Sequence, residues 1–435
     1  MECLKKKKIG IIGGGCAGTT LAWLLSKDHN VKLFENSSKL GGHIYTHRLN
    51  VDEEEIPIDM GVDHINEKLC PNIFAVLNNF GIKTFAAPLS MSVSFCNEND
   101  KVSRWSNSTL NGELKKELWI ELNRFHEDMT SVAANIGPEY IKTTIRDFLS
   151  ANNYSEKFAL KALTPLLTSY YGPRAPSLDY SLFYTALSFD MNLLSFVSPG
   201  YWRKTVGGMI SYIEKMYDVI KDYTYLNSAV YKVRKKTNNK IEIVLKSGDS
   251  HEVDEVVFAT HADIALECIE DPSHLHKEIL SNFGYTPINS VGHFDSDVDQ
   301  NATAQEYFSF YHGKTQEYGS LSRINNHLYP YRHIKKPLMV TFDSIKKIDE
   351  NKIFDKKSWK LQMLRPRDSL FRSRIREIQG VDNLWFCGTD TSITGHEGAM
   401  VSAFVLADRL GVEYIYKDNK KALEQFNVVK FVMGI

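Results

Sequence analysis

A chain that contains KIGIIGGGCAGTTLAWLLSKDHNVKLFE, residues Lys8 to Glu35, has little freedom in how it begins to fold. Ile9-Gly10-Ile11-Ile12 is an apolar run of strand length, Leu21-Ala22-Trp23-Leu24-Leu25 is apolar in a helical context, and a second strand ends at Glu35. Between the first strand and the helix, Gly13, Gly15 and Gly18 stand in the spacing G-x-G-x-x-G. Gly13 makes a turn that a side chain would obstruct, Gly15 lets a pyrophosphate approach the backbone, and Gly18 lets helix and strand pack closely. The phosphates then meet the helix N-terminus, whose unpaired N–H groups and dipole favour a phosphate charge by about 0.3–1 kcal/mol, with Cys16 and Ala17 as cofactor-binding candidates beside the glycines. Glu35 lies where a carboxylate accepts hydrogen bonds from ribose hydroxyls and repels a 2′-phosphate. A lone glycine fingerprint is weak; strand, turn, helix and acid together specify a dinucleotide site.

The length, 435 residues, is long for one domain and predicts two interleaved domains. Lysines and arginines number 52 against 53 acids, so no global charge draws the chain to nucleic acid or anionic lipid. Lys5 to Lys8 form a short basic flank, and the apolar stretch after it carries glycines and no signal-peptidase-like site, so it is a buried strand. No window reaches the eighteen or so apolar residues of a membrane-spanning helix. Cys3, Cys16, Cys70, Cys96, Cys268 and Cys387 lack C-x-x-C pairing or nearby histidine spacing, which predicts reduced core thiols, a cytoplasmic setting and no metal site.

Helical periodicity runs from about Gly112 to Met129 and from Thr144 to Tyr171, a helical cap over something apolar. Lys240 to Thr260 alternates, turns at Ser247-Gly248-Asp249 and ends in Val256-Val257-Phe258-Ala259, a half-exposed hairpin feeding a buried strand. Stretches at Ser290 to Phe294, Tyr307 to Tyr311 and Leu338 to Phe342 predict a second sheet. A last strand, Asn383 to Cys387, leads through Gly388-Thr389-Asp390 to a helix from about Glu397 to Leu410.

Gly41-Gly42 after Glu35, Thr205-Val206-Gly207-Gly208-Met209 opening another helix, and Gly388-Thr389-Asp390 with Gly395-His396-Glu397-Gly398-Ala399-Met400 together resemble the flavin-dependent amine oxidase superfamily over nearly the whole chain. The resemblance implies an α/β fold: a Rossmann-like FAD-binding domain (1–90, 200–284 and 378–412) with an interleaved helix-plus-sheet substrate domain (91–199 and 285–377), and 413–435 unassigned. It implies an FAD-dependent oxidoreductase with noncovalent FAD. It assigns His43, Asp59, Met60, Gly61, Val230 and Thr260 to the cofactor beside the glycines and Glu35, and matches Asp390 to the acid on the ribityl or phosphate portion. The helix bearing His396, Glu397, Gly398 and Ala399 would aim its N-terminus at the flavin pyrimidine edge, where charge collects on reduction. Tyr201 to Gly208 and Asp254 to Asp263 are similar to a group of bacterial FAD/NAD-binding oxidoreductases, and Thr164 to Gly172 resembles the bacterial FAD-dependent isomerase of polyunsaturated fatty acids.

The pattern departs from the monoamine type at defined places. Gly395 stands where a caging tyrosine would sit, and no cysteine lies between Cys268 and Cys387, which argues against a cysteinyl flavin. His293 aligns loosely with a lysine near flavin N5; it is either a proton carrier or a hydrogen-bonded strand histidine. His396 is a second catalytic candidate. Tyr170, Tyr171 and Trp202 are candidates to line an apolar pocket, although aromatic pairs are also common in cores. Arg365, Arg367, Arg372, Arg374 and Arg376 read either as an anion site or as a solvated basic face. The expected partner is a small-molecule or lipid-like substrate; the reaction is hydride removal from an amine or other carbon, with redox or isomerising chemistry on an unsaturated acyl chain, or a non-catalytic flavin, as alternatives. Oligomeric state and electron acceptor stay open.

Overall fold

The computed structural model describes residues 6–96, 102–107, 113–135, 137, 139–190, 202–299, 306–313, 318–392 and 395–435. Cys3, Lys5, Gly112 and Tyr201 lie outside them. Lys8–Ile12 pairs in parallel with Asn30–Phe34 on one side and Glu255–Phe258 on the other. Thr224–Tyr225 and Leu384–Phe386 extend the two edges, giving a five-stranded parallel sheet. Parallel strands covered on both faces are apolar throughout, which is why these segments read as unbroken hydrophobic runs. Ile9, Ile11 and Val257 face the helices Cys16–Leu25, Ser211–Ile220 and Gly395–Arg409. Ile12, Val256 and Phe258 face the opposite layer, where Val230–Lys235, Ile241–Leu245 and Ser250–Val253 form an antiparallel sheet beside two short helices. The expected hairpin is there, with a third strand added.

The second sheet has seven strands in the order Ile353–Gln362, Tyr285–His293, Met339–Phe342, Ser320–Ile324, Phe308–His312, Met91–Cys96 and Val102–Ser106. All neighbours are antiparallel except Phe308–His312 with Met91–Cys96. Helices Glu113–Ala134, Ile145–Ala151 and Thr164–Tyr171 share its core, through residues such as Phe125, Leu149 and Leu166. The periodic stretch from Thr144 to Tyr171 folds as more than one helix. Ile145–Ala151 ends at Asn152, Asn153 takes φ +54°, and Ser155 restarts the helix by accepting a hydrogen bond from Phe158 N. The tail folds as helix Lys420–Met433, capped by Asn419 and burying Ala422, Phe426, Val429 and Met433.

Candidate active site

The fingerprint loop is built as its sequence requires at three different glycines. Gly13 takes φ +102°, and a Cβ there would stand 2.8 Å from Ala259 O and 2.9 Å from the Thr260 methyl. A Cβ at Gly18 would lie 1.9 Å from Gly13 O, so the helix could not keep its place on the strand. A Cβ at Gly15 would meet nothing within 4 Å. That open space sits at the N-terminus of helix Cys16–Leu25, where a pyrophosphate belongs. Glu35 is held at the mouth of the loop, its carboxylate accepting from Gly14 N at 2.7 Å and Ser37 N at 2.7 Å. Gly41 N donates to Gly14 O at 2.8 Å, and Gly41 and Gly42 both take positive φ, so the second glycine pair closes against the first loop. Val230 stands half-buried at the start of its strand.

The terminal segment arrives beside this loop because Leu384–Phe386 is the edge strand next to Glu255–Phe258. Gly388 at φ +120° and Gly395 at φ +86° also have nothing within 4 Å of a Cβ. Asp390 is buried: one carboxylate oxygen accepts from Tyr285 Oη at 2.6 Å and Ala262 N at 3.0 Å, while the other lies 4.0 Å from Arg372 Nη2 and makes no hydrogen bond among the described residues. Three open glycines and a buried carboxylate oxygen with hydrogen-bonding capacity to spare fit a bound dinucleotide with a polyhydroxyl chain. His396 is held by Tyr212 Oη at 2.7 Å from Nε2, its Nδ1 makes no hydrogen bond among the described residues, and burial lowers its pKa to about 3. Gly398 and Ala399 are buried within the helix.

The Glu397 carboxylate caps helix Pro71–Asn79, accepting from Asn72 N at 2.7 Å, Asn72 Nδ2 at 2.9 Å and Ile73 N at 3.0 Å. Burial, opposed by those donors, pushes its pKa up to about 7. Asp59 is likewise engaged within the protein. One of its oxygens accepts from Thr46 Oγ1 at 2.6 Å and Met209 N at 2.9 Å, and the other faces Lys204 Nζ at 3.4 Å, so it latches three segments together. Met60 is fully buried and its carbonyl accepts from Ser290 Oγ at 2.8 Å. Gly61 stays half-buried, packed under His43 O, and its carbonyl accepts from Arg323 Nη1 at 2.6 Å. His43 is kept neutral, its pKa lowered to about 4 by burial and by His261 beside it.

Of the two alternatives for His293, the geometry supports the hydrogen-bonded strand histidine. It is fully buried in the seven-stranded sheet, with Nε2 2.8 Å from Thr341 Oγ1 and Nδ1 accepting from Asp295 N at 3.1 Å. Both ring nitrogens are spent inside the sheet, and burial lowers its pKa to about 4, so no free nitrogen is left to carry a proton. The arginine run is also not a uniform solvated face. Arg372 is fully buried and its Nη1 donates to Thr389 O, in the terminal loop; Arg365, Arg374 and Arg376 pair with Asp368, with Glu278 and Glu377, and with the carbonyls of the C-terminal helix.

The sequence reading missed a buried polar cluster at residues 59–64. Asp63 accepts from Tyr307 Oη at 2.7 Å and lies 3.1 Å from Arg323 Nη2 and 3.4 Å from Lys204 Nζ. His64 Nδ1 is 2.8 Å from Asp63 Oδ2, approaching obliquely to a straight hydrogen bond, and its Nε2 has no partner. Burial works against the Asp63 charge, but Arg323, His64 and Lys204 outweigh it and hold the carboxyl well below its usual range. Two acids, Asp59 and Asp63, balance two cations, as buried charges require. Trp202, of the candidate pocket, packs on His64 with ring centroids 6.4 Å apart; Tyr170 and Tyr171 lie partly buried on the same core. The adjacent Asp63-His64 was the available signal; its partners lie more than a hundred residues away.

The flavin containing amine oxidoreductase family model matches residues 16–410. No curated protein matches the chain by sequence. Among solved structures, putrescine oxidase bound to putrescine is similar with a TM-score of 0.68 at 14% identity, covering 93% of this chain and 99% of that one. Cyclohexylamine oxidase from Brevibacterium oxydans gives 0.68 at 15% identity, covering 93% and 100%. The CLA-producing fatty acid isomerase from P. acnes gives 0.68 at 12% identity, covering 93% and 99%. These likenesses establish the amine-oxidase-like fold, and the family match over most of the chain establishes the cofactor class as FAD. The chain belongs to the flavin containing amine oxidoreductase family and is an FAD-dependent oxidoreductase.

Proposed function

We propose that this oxidoreductase removes a hydride from a carbon of a small substrate in an apolar pocket over noncovalently held FAD, and that the substrate is not positioned by a tyrosine cage. Gly395 carries this reading. With φ +86° and nothing within 4 Å of a Cβ, it leaves room at the start of helix Gly395–Arg409 where the monoamine-type tyrosine would stand. FAD when bound supplies the capacity to accept hydride; the chain supplies position, a dry pocket and a polarised edge. Gly13, Gly15, Cys16, Ala17, Gly18 and Glu35 would hold the adenosine and pyrophosphate half, and Gly41, Gly42, His43, Gly61, Thr260, Gly388 and Asp390 the rest. In this reading 1–90, 200–284 and 378–412 form the cofactor domain, 91–199 and 285–377 the substrate domain, and Tyr170, Tyr171 and Trp202 line the pocket between them. Noncovalent binding is supported by the buried thiols: burial pushes Cys16 up to about 12 and raises Cys70 and Cys387 as well, so none offers a thiolate.

A second reading, hydride removal and return along an unsaturated acyl chain, is favoured by the same open Gly395 and by the equal likeness to a fatty acid isomerase. Anaerobic flavin bleaching with a panel of amines, amino acids and unsaturated fatty acids tests both. Bleaching by an amine, with peroxide on admission of air, selects the oxidase. Rearranged double bonds without peroxide select the isomerase. A bound flavin that no substrate bleaches would sink both in favour of a structural cofactor.

A further inference from the structure

His64 and Trp202 each hold a buried ring nitrogen that the chain leaves unpaired. The His64 side chain is 5% exposed and Trp202 is buried, yet among the described residues neither His64 Nε2 nor Trp202 Nε1 makes a hydrogen bond. The two rings pack edge to face with centroids 6.4 Å apart, and Tyr307 and Phe308 stand round the imidazole at 4.9 and 5.8 Å. Trp202, Tyr307 and Phe308 belong to the core of the seven-stranded sheet. Gly61 and Val62, just before in the chain, are only half-buried, so solvent reaches the strip that carries His64.

The neighbouring charges fix which nitrogen is the acceptor. Against burial, Arg323, His64 and Lys204 keep Asp63 ionised, and an ionised carboxylate only accepts. His64 Nδ1, 2.8 Å from Asp63 Oδ2, therefore carries a proton. Burial lowers the His64 pKa although Asp63 opposes it, so the ring is neutral near pH 7 and Nε2 presents a lone pair. The indole Nε1 can only donate. Asp59 and Asp63 already balance Lys204 and Arg323, so a charged guest would arrive without a counter-ion. An uncharged group with a proton to give and a lone pair to receive satisfies both rings; a carboxylate has no proton for Nε2. We propose that His64 and Trp202 anchor a ligand site for a small apolar molecule bearing a hydroxyl or an uncharged amine, which donates to His64 Nε2 and accepts from Trp202 Nε1. Asp63 is a positioning residue that sets the tautomer. The placement of the flavin does not enter; only calling the guest a substrate rests on the hydride-removal reading above, and the guest is then an amine or an alcohol.

Benzyl alcohol, benzylamine, toluene and benzoate share one ring and differ in the group that would meet the anchor. In calorimetric titrations of the oxidised holoprotein without oxygen, benzyl alcohol should bind about tenfold tighter than toluene, the worth of one hydrogen bond to a buried acceptor, and benzoate worse than either. Benzylamine should gain affinity as the pH rises toward its own pKa, because its neutral form binds; whichever of the two outbinds toluene by more assigns the guest to alcohols or amines. His64→Phe and Trp202→Phe keep an aromatic ring, and each should erase the preference for benzyl alcohol over toluene. Nitrogen-15 NMR of the histidine-labelled wild type should show His64 protonated on Nδ1, with the Nε2 resonance moving on addition of benzyl alcohol and not of toluene. An Nε2–H tautomer, or equal affinity for benzyl alcohol and toluene, overturns the proposal without any variant. A preference that survives both substitutions overturns it too, since the probe then sits elsewhere. If a fixed water alone fills the gap, none of the four probes binds, which is a further overturning result. The titrations read binding without turnover, so they can fail while the bleaching panel succeeds, and the reverse.

Discussion

Gly15 and Gly18 are three residues apart and do opposite jobs, and substitution separates them. Gly15 has φ −72° and empty space beside it, so Gly15→Ala should leave apoprotein stability within about 0.5 kcal/mol while blocking the cofactor and sharply lowering FAD content. Gly18→Ala drives a methyl into Gly13 O and should cost about 1–3 kcal/mol in the apoprotein as well, measured by thermal or urea unfolding. His293 gives a second residue-scale test. With its nitrogens committed to Thr341 and Asp295, His293→Gln should lose about 1–3 kcal/mol of stability, yet leave the rate of flavin reduction per bound FAD unchanged. Slowed reduction at full FAD content would return it to the chemistry. The glycines were legible because a turn, a close approach and an open face each leave their mark on local sequence. The role of His293 was not, since its partners are set by sheet register. The cluster of Asp59, Asp63, His64, Lys204, Tyr307 and Arg323 was hidden for the same reason: no local pattern shows which distant strands will meet.

At the scale of elements, the start of helix Gly395–Arg409 holds up another helix. Glu397 satisfies N–H groups of Asn72 and Ile73 that would otherwise be orphaned at the N-terminus of Pro71–Asn79. Its folded pKa, about 7, is raised from 4.5 by burial, so the folded state holds the proton more tightly than the unfolded chain. The sign follows from linkage: this contribution is fully present below about pH 4.5 and is lost as pH rises toward 7. At about 1.4 kcal/mol per pKa unit it amounts to about 3 kcal/mol. Glu397→Gln should therefore gain in melting temperature relative to wild type on going from pH 4.5 to pH 7.5; the reverse trend would mean that the three N–H donors dominate. The helix itself was legible from Gly388-Thr389-Asp390 and the small residues beyond, but not the direction of its first carboxylate. The helices between Thr144 and Tyr171 were legible as periodicity, but the break at Asn152-Asn153 was not, because apolar spacing carries straight across it.

On the scale of the whole molecule, the parallel sheet and its three separated segments could be read from buried runs and glycine turns. The seven-stranded sheet was visible only as scattered strands, since Met91–Cys96 finds its parallel partner, Phe308–His312, some two hundred residues later. The tail gave no periodic signal strong enough to place, yet it docks with purpose. Tyr414 Oη donates to Asn72 Oδ1 at 2.6 Å, Gln425 Nε2 donates to Leu69 O at 2.9 Å, and Phe426 stacks on Tyr414 at 4.2 Å. It thus braces the stretch that Glu397 caps, next to the Gly61–His64 strip. Phe426→Ala should cost about 3–5 kcal/mol and reduce FAD retention with it, and a stability loss with FAD binding untouched would separate the tail from the site. If these dispersed segments assemble one noncovalent FAD site, as proposed, denaturation must release the flavin. Acid precipitation of the purified protein should leave FAD in the supernatant in equimolar amount with the chain; flavin retained in the pellet, or a protein that carries no FAD and takes up none, would contradict it.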